Sequence, residues 1–439
     1  MLLGEAAALR PGGRVTEVFD DDADREGAFR FLENGDISTA AVAAAAHRAA
    51  ADRCFGHRFV YVPVDGSSLS ITDGVGDRGL GLVGPRKKRS PGLQVMSAIA
   101  VAPDGTPLGV LEQEYWARIE RSGSSGKKND LRPVEQKETQ HWLNVMRSVR
   151  ATLSQSGAAA VPWFQLDRGA DAWPVLLEAV GQSAFVTIRA SCSRRLDVSD
   201  GGGAKYLWPR LAQSEPLGSY HLVVPGKPKQ QPRVAAMQLQ SCKVTLDLLN
   251  PSSGQHTPAS MWAVRAVEVG TTPPGEDRLE WLLLTTFPVA GLDDAYAVVA
   301  GYATRWRIEE FHKTWKSGAC NVEDTQLRSA DRIQRWATIL ASVAMRLLRL
   351  TYLSRNVPDE PATVELSRAE IKAIVLAKKP KGHRRNKMPT IEQAVRWLAD
   401  LGGYTGKSSG GPPGVIVLRR GLERIEVLAR VLSDGADEL

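Results

Sequence analysis

Residues 302–318 read YATRWRIEEFHKTWKSG. Advanced by about 100° per residue, as in an α-helix, Tyr302, Arg305, Glu309, Lys313 and Lys316 fall inside an arc of about 80°. Ile308, Phe311 and Trp315 gather on the other side, the apolar stripe that a helix buries against a core. The polar face then carries one carboxylate among cations and a phenol. Arg305 with Glu309 and Glu309 with Lys313 have the i,i+4 spacing of ordinary surface ion pairs, so on its own this helix also reads as a solvated face. The rest of the chain decides between the two.

The chain has 439 residues, 43% hydrophobic and 24% charged, enough for two or three domains with a sizeable core. Lys and Arg number 56 against 49 Asp and Glu, and the net charge of +7 favours an anionic partner. The cations gather in PRKKRSP (85–91), GKKND (126–130), PGKPKQQPR (225–233) and KKPKGHRRNK (378–387), all in Pro- and Gly-rich loop sequence. Such loops suit a phosphate backbone; the last also resembles a nuclear-localisation run. Cys54, Cys192, Cys242 and Cys320 lie far apart without C-x-x-C or matching His spacing, which indicates reduced thiols and no zinc site. No apolar run approaches the roughly 18 residues of a membrane span, and Glu5 stands where a signal peptide carries positive charge. The expectation is a cytoplasmic protein with no membrane partner.

After an irregular start, residues 26–53 read as two helices with the turn at Asn34-Gly35 and an N-cap at Ser38 or Thr39. RFVYVPVDGSSLSI predicts a short strand ending at Asp65, although Pro63 is foreign to a central strand. LQVMSAIAVAP and TPLGVLEQEYWARI predict two more, followed by a helix over about 135–154. VPWFQL predicts a strand ending at Asp167, then a helix from Trp173, and SAFVTIRA a further strand. Residues of about 190–290 hold strand-like runs only and read as an all-β insertion. Helix returns with LDDAYAVVAGYATRWRIEEFHKTWKSG, where Gly301 is a candidate break and Gly318 a candidate C-cap. The remainder is helical. The fold class is α/β, with a small N-terminal helical module and a C-terminal helical domain.

Asp65 and Asp167 each close a predicted strand, where side chains converge at the edge of an α/β sheet, and Glu309 comes from a much later helix. Carboxylates gathered in this way bind hard divalent cations. Two such ions can activate water or a 3′-hydroxyl and stabilise the leaving oxygen in phosphoryl transfer.

Tyr302, Arg305, Glu309 and Lys316, spaced Y-x2-R-x3-E-x6-K, resemble the Tyr-Arg-Glu-Lys signature of DDE transposases of the insertion-sequence-four family. VDGSSLS, LDRGAD, EWLLLTTFPV and EGAFRFLEN agree with it, so the resemblance runs over nearly the whole chain. It implies an RNase H-like core with a β insertion, in which Asp65, Asp167 and Glu309 are the catalytic, metal-binding triad. It implies two Mg2+ ions, with Mn2+ able to substitute. Tyr302, Arg305, Lys316, Arg189, Trp306 and Lys313 are implied DNA contacts, and Trp281 the ring on which a flipped end base stacks. The implied partners are double-stranded DNA, as terminal inverted repeats and target, and a second copy of the chain in a synaptic homodimer. The implied setting is bacterial cytoplasm, with nucleoid association when DNA-bound. The implied reaction is cut-and-paste transposition: nicking, hairpin formation and opening, then strand transfer. The implied domains are a DNA-end-binding module over 1–52, a catalytic domain over 53–350 and a dimerisation domain over 358–439. Only about 25 residues precede EGAFRFLEN, fewer than is typical of the family. The competing expectation is therefore a non-catalytic DNA-binding relative that pairs with an active transposase and inhibits it.

Overall fold

The computed structural model describes residues 3–73, 78–84, 89–118, 132–197, 201, 203–226, 231–384, 387–406 and 411–434. The expected basic loop 126–130 lies outside them, as do residues 85–88, 227–230 and 385–386 of the other three clusters.

Four helices open the chain: α1 (Leu3–Leu9), α2 (Val15–Val18), α3 (Asp22–Glu33) and α4 (Thr39–Asp52). The start is thus helical where irregular chain was expected, because Ala6, Ala7, Val15 and Val18 have a core to enter. Asp21 caps α3 through Ala23 and Asp24 N–H, and Ser38 caps α4 through Ala41 N–H.

The sheet follows, with β1 (Phe59–Ser70), β2 (Gly81–Val83), β3 (Ser90–Val101), β4 (Pro107–Trp116), α5 (Thr139–Ser156), β5 (Val161–Leu166), α6 (Trp173–Val180) and β6 (Phe185–Arg189). Next come α7 (Leu207–Ala212), β7 (Pro216–Val224), β8 (Arg233–Leu249), β9 (His256–Glu268) and β10 (Glu280–Thr285). The chain closes with α8 (Leu292–Ala303), α9 (Trp306–Lys313), α10 (Ala330–Asn356), α11 (Arg368–Lys378), α12 (Ile391–Leu401) and α13 (Val415–Asp434).

One ten-stranded sheet runs in the order β2-β3-β1-β5-β6-β10-β9-β8-β7, with β4 also on β3. The β insertion is therefore no separate body: β10 pairs with β6 and carries β9, β8 and β7 outward. Nor is it all strand, since α7 lies within it. β1, β5 and β6 are parallel, and the α6 crossover joins the last two. β1 does not stop at Asp65 but continues to Ser70, because its antiparallel pairing with β3 persists from Asp65↔Ser97 to Ser70↔Gly92. Pro63 pairs with Gln165 of β5 and falls where the β3 ladder skips from Tyr61↔Val101 to Val64↔Ala98.

Val60, Val62 and Val64 of β1 join Met146 and Val149 of α5 and Val175 and Leu176 of α6 in one core. Tyr61, Ile308, Phe311, Trp315 and Trp336 belong to a second core that also takes in the N-terminal helices. A third joins the end of α10 to α11, α12 and α13. By length and composition α10 could cross a membrane, against the expectation that no run reaches that length, but 72% of that stretch is buried inside the protein. It is a core helix.

The helix expected across 292–318 is broken, though not at Gly301. Gly301 stays within α8, and the break falls at Thr304 and Arg305, where Thr304 Oγ1 donates to Gly301 O at 2.6 Å. Beyond Lys313 the chain widens into a π turn, Thr314–Gly318, so Lys316 departs from its simple α-helical angle and the cap falls on Ala319, one residue past Gly318. Gly301 is small for a packing reason: a Cβ there would lie 2.6 Å from Tyr61 Cε1. Gly301→Ala is expected to lower stability by about 1–3 kcal/mol through overpacking, read as a lower thermal midpoint with unchanged helical content.

Candidate active site

Three parallel strands bring the site together. Val64 pairs with Leu166, and Leu166 with Ile188, as the last row of parallel pairing. The next residues along these strands are Asp65, Asp167 and Arg189, side by side at the carboxyl edge, where α/β sheets open to ligands. Gly66 N–H donates to Asp65 Oδ1 at 2.8 Å and Gly169 N–H to Asp167 Oδ1 at 2.7 Å, which orients both carboxylates.

Ile308, Phe311 and Trp315, all 0% exposed, hold α9 and its following turn against the core as the periodicity predicts. Trp315 Nε1 donates to Ala337 O at 2.9 Å. With that side buried, the other presents Glu309 to the sheet edge. Arg305 stands between the carboxylates: its guanidinium is 2.7 Å from Glu309 Oε1 and 3.4 Å from Asp65 Oδ2. Burial works against the Arg305 cation, but the Glu309 hydrogen bond and nearby negative charge more than offset it and raise its pKa. Burial, then the Asp167 charge and more weakly that of Glu309, push the Asp65 carboxyl up to about 6 despite Arg305. Two carboxylates thus share one guanidinium, with the charge of Asp167 beside Asp65.

Tyr302 is buried, edge-on to Trp281 at 5.2 Å between ring centroids, and its phenol is raised by burial against the charges of Arg305 and Arg189. Lys316 Nζ lies 3.4 Å from Ser67 Oγ, on the same face of β1 as Asp65, and 3.6 Å from Glu323. Trp306 is 59% exposed beneath the Arg305 guanidinium, and Lys313 is exposed on α9. Asp65, Asp167, Glu309, Arg305, Tyr302 and Arg189 therefore form one cluster, with Trp281 packed on its edge. Trp306 and Lys313 flank it on the surface.

Glu310, the second glutamate of the helix, faces elsewhere: it accepts from Tyr352 OH at 2.8 Å and pairs with Arg307. His312 is buried and held neutral, its pKa lowered to about 3 by burial. Neither belongs to the cluster.

A match to the family described as Transposase DDE domain covers residues 87–346, and one to the Transposase Tn5 dimerisation domain covers 342–436. The chain belongs to the DDE transposases. The first match takes in Asp167 and Glu309 and begins after Asp65, which only the β1–β5 register puts beside Asp167. The transposase is a metal-dependent enzyme of phosphodiester hydrolysis and transesterification, built on an RNase H-like core. Its chain carries a dimerisation domain.

The donor chemistry fits a divalent cation: oxygen ligands only, with more negative charge than Arg305 neutralises. Among the described residues no three His, Cys, Asp or Glu side chains are drawn close enough to grip an ion already. Arg305 lies between Asp65 and Glu309.

Sequence reasoning missed Arg168 and Asp171, though both stand in LDRGAD. Asp171, its side chain 0% exposed, accepts from Ser191 N–H at 2.6 Å, Ser191 Oγ at 2.7 Å and Arg194 Nε at 2.6 Å. It pins the turn after Asp167 to the loop after Arg189. Asp171→Ala removes the carboxylate that pairs with Arg194 and is expected to cost about 3–5 kcal/mol in thermal or denaturant unfolding. DNA cleavage at permissive temperature should fall through kcat, with Asp171→Asn in between.

The Asp65 shift has a stability consequence. A carboxyl raised to about 6 in the folded chain from 3.8 binds its proton more tightly folded than unfolded. The stability it contributes is full below pH 4 and is lost as pH rises through about 6. In metal-free buffer, Asp65→Asn is expected to stabilise the transposase at pH 7.5 by on the order of 1–3 kcal/mol and to be nearly neutral at low pH. Melting curves at the two pH values check the sign.

Proposed function

We propose that this transposase moves DNA by cutting and pasting, with Asp65, Asp167 and Glu309 as its catalytic triad and metal ligands. The observation that supports this most is the shared row of Asp65 and Asp167, with Glu309 brought over it by a helix whose other side is wholly buried. Two Mg2+ ions, or Mn2+ in their place, would supply the Lewis acidity that activates an attacking oxygen and stabilises the leaving one.

The protein's own groups account for the rest. Arg305, which pairs with Asp65 and Glu309, has the planar fork that would hold a DNA phosphate beside the ions. Tyr302 and Lys316 donate to neighbouring phosphate oxygens, and Arg189, Trp306 and Lys313 line the path of the strand. Trp281 provides the face for an end base lifted from the duplex. Water nicks one strand at each element end, and the freed 3′-hydroxyl attacks the opposite strand to form a hairpin. A second water opens it, and the 3′ ends join target DNA. A homodimer of the chain, in the cytoplasm, holds two terminal inverted repeats in one synaptic complex.

The decisive assay incubates the purified chain with DNA carrying the flanking repeats of its gene, in Mg2+, Mn2+ or EDTA, beside Glu309→Gln. Nicks and hairpins that need metal and vanish in the variant are expected, with DNA binding retained. Binding without cleavage by either protein would mark the chain as a non-catalytic, inhibitory relative.

A further inference from the structure

On the far side of Arg189 from Trp281 lies a cleft of about 970 Å³ that shares only Arg189 with the site above. Glu280 and Leu282 of β10 line it, and strand alternation turns these to the sheet face opposite Trp281. Arg168 and Arg189 also line it, next to the row that carries Asp167. Arg265, a further lining residue, is neutralised by Glu280 at 2.6 Å. Among the described residues neither Arg168 nor Arg189 has a carboxylate partner. Burial and the neighbouring Arg168 and Arg305 charges hold the Arg189 pKa below its ordinary value. The cleft therefore has positive charge in excess beside Asp167.

The opposite wall is aromatic. Leu207 and Leu211 anchor α7 in the core at 1% exposure each, which leaves Tyr206 44% and Trp208 43% exposed toward the cleft. Large rings so exposed mark a binding surface when they stand together. The wall is held in place: Trp208 N–H donates to Ser193 Oγ at 3.1 Å, in the loop that Asp171 pins through Ser191 and Arg194. Lys205 lies 5.9 Å over the Tyr206 ring and adds another cation.

We infer that this cleft binds unpaired DNA, with Trp208 and Tyr206 as stacking platforms for bases and Arg168 and Arg189 holding the phosphates. Cations on one wall and aromatic faces on the other suit a single strand; a duplex offers its bases no such access. The position beside Asp167 assigns the cleft to the strand leaving the cut, a step that rests on the transposase reading.

The test uses the full chain in EDTA, so that no cleavage intervenes. Binding is measured to a blunt duplex and to the same duplex with a single-stranded flap carrying 2-aminopurine. The flap should bind more tightly, and its fluorescence should be quenched by stacking. Trp208→Ala should weaken flap binding roughly ten- to hundredfold and abolish the quenching, while blunt-duplex affinity stays unchanged and Trp208→Phe restores most of the loss. Absence of quenching with the unaltered chain, which requires no variant to fold, overturns the inference. So does an equal loss on both DNAs, which would assign the cleft to duplex phosphates. Metal-dependent cleavage of the same DNA by the unaltered chain reports separately on the transposase reading.

Discussion

Parallel pairing of β1, β5 and β6 ends at one row, Val64, Leu166 and Ile188, and the residue after each is Asp65, Asp167 and Arg189. This register sets the site before any side-chain chemistry enters. A slip of one residue in β1 would turn Asp65 to the other face and put Val64 at the edge. The slip is resisted from both sides, because Val60, Val62 and Val64 are buried in one core and Tyr61 in the other. The cores flanking the sheet therefore maintain the carboxylate geometry.

That geometry works against stability. Asp65 is partly desolvated beside Asp167 and Glu309, and its raised pKa measures the penalty. Arg305 relieves part of it. It keeps its i,i+4 pair with Glu309 and also reaches Asp65, 244 residues from Glu309 in the sequence. The two descriptions of the opening helix, solvated face and functional face, are thus resolved by a contact that no helical wheel contains.

The sequence was most legible where local pattern and tertiary packing agree. VPWFQL reads as a strand ending at Asp167 because nothing pairs beyond it, and the Ile308-Phe311-Trp315 stripe is buried as its spacing requires. It was least legible where a distant partner decides. β1 outruns Asp65 because β3 lies alongside, which the VDGSSLS segment alone cannot show. Gly301 reads as a helix breaker by propensity, yet it lies inside a helix because Tyr61 leaves no room for a Cβ. The π turn that re-aims Lys316 has no sequence signature. The aromatic cleft joins LDRGAD to KYLWPR across a loop closed by Asp171, a relation carried by hydrogen bonds and not by spacing.

α10 links the site to the rest of the molecule. Its first turns contribute Ile333, Trp336 and Ala337 to the core beneath α9, while Leu347, Leu350 and Leu353 belong to the C-terminal core. Its residues 342–346 fall in both the catalytic and the dimerisation matches. On α13, Leu418, Leu422, Ile425 and Ala429 are buried, while Ile416, Val427 and Val431 remain exposed at 47%, 70% and 65%. A helix with apolar residues on two sides has one side for its own core and one for a second surface. A single continuous helix of 27 residues thus enters both cores and joins the site to the C-terminal helices through packed side chains. The catalytic cluster and the C-terminal helices are in that sense one packed unit, with Trp315 and Trp336 in the core beneath α9.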